Sequence, residues 1–399
     1  MPLPPPANIS ARDRGSEVGG SGNGPGGSAN GPGGSGNGPG GSGRGPGVSG
    51  LEGTRSNEKK GPRFSAGPRA FTRLAQASAA MVALNIVSGG AVRLSGSGLG
   101  CPDWPTCSRT SVTPVLSLHP LIEFSNRMVV VAVVVVAGAT LIGALLRTPK
   151  RRDLTWLSAG LVAGILGEAL VGAAVVYSHL NPYVVAGHFV LGIVLLADAT
   201  VLVLRAGHAR VRATPMVQQT QSRLAWAVLA TIGLAIVAGS TATGAGPHAG
   251  GPGAKRIPVP FEDLVRTHSI VVIVAGVLML ALLVSLHRSD APGAVQDRGR
   301  WLLLAMAAQG ALGYTQYFLH VPAVLVGFHI FGACVVLMVA VWFVSGLYHH
   351  PAEEATHGEV AGHGEVAGHG EVAGHGEAAG HGEAAGAVHA GAAGGTASR

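Results

Sequence analysis

Charge is what this sequence has least of. Only 12% of its 399 residues are Asp, Glu, Lys or Arg, while 47% are hydrophobic, and the mean hydropathy is positive. That balance is too apolar for a water-soluble domain, where charged residues make up about a quarter. Cysteine is almost absent, with Cys101, Cys107 and Cys334 the full set. The first 60 residues contain no apolar stretch, so no cleavable signal peptide is visible. A basic groove is lacking too. The formal charge of +7 is scattered in short clusters between apolar runs, which is the pattern of membrane topology and excludes nucleic acid as the partner.

Glycine, by contrast, is abundant at 63 residues, more than a compact membrane bundle needs, and much of it lies in the tails. Residues 1–63 repeat "GNGPGGS"-like units, and residues 349–399 repeat "HGEVAG" and "HGEAAG". Both segments bury too little apolar surface to offset their ordering entropy and are expected to be disordered cytoplasmic tails. The second spaces His363, His369, His375 and His381 evenly, which suits weak metal binding less well than a solvated tail.

Between the tails, eight apolar stretches are long enough for a helix of about 20 residues to cross a bilayer. They begin near Phe71, Leu121, Leu154, Tyr183, Ser222, Leu264, Arg300 and Pro322. "SHLNPY" (Ser178 to Tyr183) and "FLHVPA" (Phe318 to Ala323) break two runs too long for one span. The clusters "RTPKRRD" (Arg147 to Asp153) and "RAGHARVR" (Arg205 to Arg212), with Arg63, Arg69, Arg73, Arg288, Arg298 and Arg300, fall on one side, the cytoplasm. Lys255, Arg256 and Arg266 dissent and are outnumbered. A multi-pass protein of the cell membrane with both termini cytoplasmic is therefore expected.

The halves repeat. Glu168 in "GEALVG" aligns with Gln309 in "QGALG", and His188 in "AGHF" aligns with His329 in "GFHI"; both offsets are 141 residues. His179 and His320 keep the same offset. The expected fold is all-α and polytopic: two tandem, pseudo-symmetric four-helix bundles, residues 64–215 and 216–348.

His188, His268 and His329 then share one depth, about 6–11 Å below the outer ends of their helices at 1.5 Å per residue. One such histidine alone reads best as a hydrogen bond between helices. Three at one level in a duplicated bundle point instead to a planar cofactor, with haem and axial histidines the usual case. Zinc fits less well, since no cysteine or second carboxylate accompanies them at ligand spacing. The fourth equivalent place is Asn126, in "LIEFSNR", with Glu123 one turn before it and Arg127 beside it. Ionisable groups inside a membrane are functional candidates by default. Glu168, matched by neutral Gln309, reads equally as a functional group or a hydrogen-bonding one; Asp198 reads as interhelical contact or proton route.

The loop "GGAVRLSGSGLGCPDWPTC" (Gly89 to Cys107) follows the first span. Its glycines permit tight turns and its prolines fix φ around Trp104. Cys101 and Cys107 face the oxidising side, so a disulfide is feasible, as a simple staple or more. The matching loop of the second half, "TGAGPHAGGPGAKRIPVP", has no cysteine, and Cys334 reads as a buried small residue.

That loop, followed by "IEFSNR", resembles the haem A synthase family over the whole core, from Phe71 to Tyr348, with Asn126 as in its actinobacterial form. The resemblance implies an oxidoreductase that converts the C8 methyl of haem O to the formyl of haem A in two steps, with oxygen from water, for cytochrome oxidase. It implies a b-type haem (haem b) in the second bundle between His268 and His329. It places the substrate haem O in the first bundle with His188, an essential Glu123, and a redox-active or site-shaping Cys101–Cys107 disulfide near it. A carboxylate there could take a proton from attacking water or stabilise developing positive charge. Arg93 and Arg127, at the outer boundary, would pair with haem propionates, their plain alternative being snorkelling. Haem O synthase, membrane lipid and an unidentified electron acceptor are the expected partners, and a homo-oligomer is possible. The rival readings are a b-type membrane cytochrome that only transfers electrons, and a haem-handling assembly protein for the oxidase.

Overall fold

The computed structural model describes residues 66–208, 214–251 and 253–349. The tails expected at 1–63 and 349–399, including the histidine repeat, lie outside the described residues except for His349. Eight long helices make up nearly all of what is described: α1 (Pro68–Leu94), α2 (Leu118–Leu146), α3 (Arg152–Tyr177), α4 (Pro182–Ala206), α5 (Gln219–Ala245), α6 (Phe261–Arg288), α7 (Gly293–Phe318) and α8 (Ala323–Ser345). A two-residue antiparallel ribbon, β1 (Thr214–Pro215) with β2 (Tyr348–His349), ties the segment before α5 to the one after α8.

Proline and glycine punctuate these helices. Pro68 and Pro182 sit in the first turns of α1 and α4, and Pro260, Pro292 and Pro322 immediately precede α6, α7 and α8. Proline is suited there because its missing N–H would be unpaired anyway. Gly207, Gly246 and Gly346 close α4, α5 and α8. Seven helices start within three residues of the starts read from sequence, while α7 begins seven residues before Arg300. The difference has a physical cause: "GAVQDRG" is polar enough to stay out of hydrocarbon but helical all the same.

Seven of the eight helices are long and apolar enough to cross a membrane. α7 has the length, 26 residues, but Asp297, Arg298 and Arg300 dilute its first turns. The lipid-type surface is plain elsewhere. Val135, Leu170, Ile273, Val277 and Leu304 are more than half exposed. A row of such residues in water would be an aggregation patch, and around a helix bundle it is the face turned to hydrocarbon.

The helices close into two rings. α1 packs on α2 and α4, with α3 completing the first; α5 packs on α6 and α8, with α7 completing the second. α1 and α4 meet α8, and α4 meets α5, where the rings join. Each ring has its own apolar core, one around Phe71, Leu161 and Leu196, the other around Met279, Leu282 and Phe343.

The duplication extends to backbone conformation. His179 and Leu180 adopt left-handed φ values of 52° and 59°, and His320 and Val321 adopt 61° and 60°, at the same 141-residue offset. Left-handed backbone is costly for such residues, most of all for β-branched valine. In both turns the second left-handed residue reaches back to the helix, Leu180 N to Val175 O at 3.0 Å and Val321 N to Gln316 O at 2.7 Å. Leu180 is then buried beneath the loops that follow α1 and α5, against Gly98 and Gly250.

Polar contact between helices is sparse inside the first ring. Ser78 of α1 and Thr140 of α2, both fully buried, lie 2.8 Å apart. Interhelical hydrogen bonds of this kind average about 0.6 kcal/mol in a bilayer. A double-mutant cycle of Ser78→Ala and Thr140→Val in reversible unfolding should return a coupling of that order. A coupling of zero would mean that α1 and α2 are held by packing alone.

Candidate functional site

His188, His268 and His329 lie six, seven and six residues inside α4, α6 and α8, and Asn126 lies eight residues inside α2. At 1.5 Å per residue that is one level, about 9–12 Å from each helix start. The histidines of the second ring face each other. The His268 and His329 ring centroids are 6.3 Å apart with planes at 74°. A metal bonded to one nitrogen of each ring, at about 2 Å per bond, would set the centroids about that far apart. His268 Nδ1 lies 2.9 Å from the carbonyl oxygen of Ala235. A carbonyl only accepts, so Nδ1 carries the proton and Nε2 keeps its lone pair for a metal. No group of three or more His, Cys, Asp or Glu side chains among the described residues could hold a metal ion. Two facing imidazoles suit haem, whose macrocycle supplies the other four donors, better than tetrahedral zinc.

A glycine lies beneath each of these side chains, on the preceding odd helix. A Cβ on Gly172 would sit 3.6 Å from His188 Cε1, on Gly239 3.1 Å from His268 Cε1, and on Gly313 3.0 Å from His329 Cε1. Gly89 stands in the same relation to Asn126 Oδ1, at 3.9 Å. The sequence reading missed these seats. The signal was there, since Gly172 and Gly313 each follow the Glu168/Gln309 position by four residues, one helical turn.

In the first ring, Glu168 Oε2 lies against Nδ1 of His188. Asn126 Oδ1 lies 2.7 Å from Ser88 Oγ. The amide NH2 is a donor that cannot ligate iron, and the oxygen, which shares the Ser88 hydroxyl with Asn85 O, is a hard, neutral donor and a poor iron ligand.

Glu123 is buried, and both its oxygens are used. Oε2 accepts from the backbone N–H of Cys101 at 2.8 Å, and Oε1 accepts from Arg127 Nη2 at 2.7 Å. Arg127 also donates to the carbonyls of Asp103 (2.9 Å) and Thr106 (2.8 Å). The two residues, four apart on α2, therefore seat the loop that a Cys101–Cys107 disulfide closes. The i,i+4 spacing was legible; the loop partners were not. Arg93 is used in a similar way, donating to His248 O and Thr243 O at 2.9 Å each. His119 meets Ser97 Oγ at 2.9 Å through Nδ1, outside the histidine level. Arg93, His119, His248 and Arg256 line an open cleft among the loops before α2 and α6. Asp198 lies further along α4, and Cys334 is a buried free thiol.

The fit of the loop depends on Gly100. A Cβ there would fall 2.6 Å from the backbone carbon and oxygen of His119, and backbone cannot swing aside. Gly100→Ala should lift the loop, break the Cys101 N–Glu123 bond, and leave the helices folded. Faster proteolysis between residues 99 and 110 with unchanged helical circular dichroism would register it; unchanged proteolysis would show that the loop tolerates the displacement.

A family model described as cytochrome oxidase assembly protein matches residues 72–119 and 115–250. The chain is also similar to curated bacterial proteins. It is 30% identical over 106 residues to a haem A synthase of Geobacillus kaustophilus, which is 26% of this chain and 32% of that protein. It is 34% identical over 120 residues to one of Bacillus licheniformis, 30% and 39% of the two lengths. It is 36% identical over 119 residues to one of Staphylococcus saprophyticus, again 30% and 39%. The chain thus matches only about a third to two fifths of the length of these relatives, and the family-model match contains the disulfide loop, Glu123, Asn126 and His188. Over this part the chain is similar to haem A synthases and to the cytochrome oxidase assembly family.

Proposed function

We propose that this protein is a haem A synthase, an oxidoreductase that converts the C8 methyl of haem O to the formyl of haem A with oxygen from water. The observation that carries the reading is Glu123, a buried carboxylate one helical turn from Asn126 and tied to the disulfide loop. A protein that only relays electrons has no use for that arrangement.

The first ring holds the substrate haem, with His188 as its protein ligand. Asn126 leaves the opposite side open for chemistry and for product release. Converting a methyl group and one water to an aldehyde releases four electrons and four protons. Glu123 takes a proton from the attacking water or stabilises positive charge developing at the carbon, held in place for either by Arg127 and Cys101 N–H. The disulfide loop keeps bulk water from the reacting edge. His268 and His329 hold haem b in the second ring, and that haem, when bound, supplies a one-electron relay. Electrons leave to an acceptor outside the chain, and haem O synthase is the expected source of substrate. The arginine clusters at the loop after α2 and the loop after α4 support a cell-membrane protein with both termini in the cytoplasm.

Co-expression with a source of haem O, followed by chromatography of the extracted haem, tests the reading. Haem A should accumulate with the wild type and vanish with Glu123→Ala while haem remains bound. Absence of haem A in the wild type would leave an electron-transfer cytochrome or a haem carrier. Normal yield from Glu123→Ala would remove that residue from the mechanism.

The histidines divide by spectrum. His268→Ala or His329→Ala should abolish a low-spin six-coordinate signal, and His188→Ala should spare it while lowering retention of the substrate haem. Two low-spin bis-histidine haems in the purified wild type would overturn this division, with His119 and His179 the next ligands to examine.

A further inference from the structure

Glu168 and Gln309 occupy equivalent places in the two rings, yet they are used differently. Gln309 donates from Nε2 to the backbone carbonyl of His329 at 2.8 Å and does not engage the ring. Glu168 turns its carboxylate onto the ring itself, at Nδ1 of His188. The other ring with an assigned partner, His268, gives its Nδ1 proton to the neutral carbonyl of Ala235. The architecture makes room for the carboxylate. Gly192, one turn beyond His188 on α4, would place a Cβ 3.0 Å from Glu168 Oε1.

An imidazole bound to a metal through one nitrogen is tuned by what the other nitrogen meets. A carboxylate draws the N–H proton towards itself, fixes ring and tautomer, and makes the ligating nitrogen a stronger electron donor. A neutral carbonyl does the same far more weakly. Electron donation to iron favours the ferric state and so lowers the reduction potential.

Resting on the haem-binding reading above, we propose that Glu168 is a positioning residue for His188. It holds Nδ1 so that Nε2 is the nitrogen offered to iron, and it makes His188 the most electron-donating of the three ligands. The haem of the first ring then sits at a lower potential than the haem of the second. Electrons released at the substrate run downhill from the first ring to the second, and the single exchange of a carboxylate for an amide between the repeats sets that direction.

The test uses the full-length protein purified with its haems, titrated spectroelectrochemically. His268→Ala serves as a background that silences the second ring. Glu168→Gln keeps the shape of the side chain and removes its charge. It should shift the ferric/ferrous equilibrium of the first-ring haem at least tenfold towards ferrous, which is about 59 mV for one electron. It should also lower the iron–histidine stretching frequency, and in the otherwise native chain it should leave the second-ring haem unmoved. Gly192→Ala, which displaces the carboxylate without deleting it, should shift the equilibrium the same way by less. A first-ring haem that stays bound with an unmoved midpoint in Glu168→Gln overturns the proposal. Should that variant not fold, an unmoved midpoint in Gly192→Ala does so. The readout is separate from turnover. A wild type that binds two haems but makes no haem A defeats the synthase reading and leaves this test intact, whereas a first ring that binds no haem defeats both.

Discussion

A carboxylate inside a membrane bundle is expensive unless its charge is matched and its lone pairs are filled. Glu123 meets both conditions at once, with the Arg127 guanidinium on one oxygen and the Cys101 N–H on the other. The same arginine gathers the carbonyls of Asp103 and Thr106, so loop and helix are joined through a single charge pair. From that joint the outer layer extends across the molecule. Tyr177 donates to Trp104 O, Gly98 donates to Gly250 O, and Arg93 reaches the carbonyls at Thr243 and His248. His248 in turn gives a hydrogen bond to Val321 O, at the strained turn before α8. Loops from both rings are thereby held as one layer above the histidine level.

How much of this could be read in the sequence depends on the kind of residue. The spans were legible because hydrocarbon demands a run of apolar residues, and the duplication because three polar landmarks kept one offset. The histidine level followed from counting along helices whose starts proline marks. What could not be read was partnership. The place of Arg93 and Arg127 at the boundary was legible, but their partners, carbonyls of loops distant in sequence, were not. A backbone carbonyl carries no sequence signature, so that choice becomes visible only once the loops are folded. The glycine seats were missed for a related reason: glycine is common in packed membrane helices, and its role as a missing side chain appears only against a neighbour.

The two rings show how one duplicated scaffold is specialised by few changes. Both keep the left-handed turn, the glycine beneath the histidine, and the even-helix histidine itself. They differ in the outer loop, where only the first has cysteines, and in the residue facing the histidine across the ring, Asn126 in one and His268 in the other. They differ also at Glu168 and Gln309. Each of these differences falls in the half of the bundle that holds the histidine level, and the other half packs mainly around residues such as Leu161, Leu196 and Leu282, with buried polar contacts such as Ser78–Thr140. The repeat thus keeps what folds it and varies what lies around the histidines.

That distribution explains why a wholly symmetric protein would serve less well. Two facing histidines hold iron on both sides, which favours electron transfer with little rearrangement and leaves no coordination site for exchange. If the chain acts on haem as proposed, it must admit and release the very group that a bis-histidine site retains. On that reading Asn126 resolves the conflict in one ring, because its oxygen is a hard, neutral donor that already accepts from Ser88 and its amide NH2 is no ligand. The second ring keeps the histidine at that place, with Nδ1 pinned to Ala235 O and the ring aimed at its partner. On the proposed reading, one exchange of imidazole for amide separates the site that would hold its haem from the site that would release it.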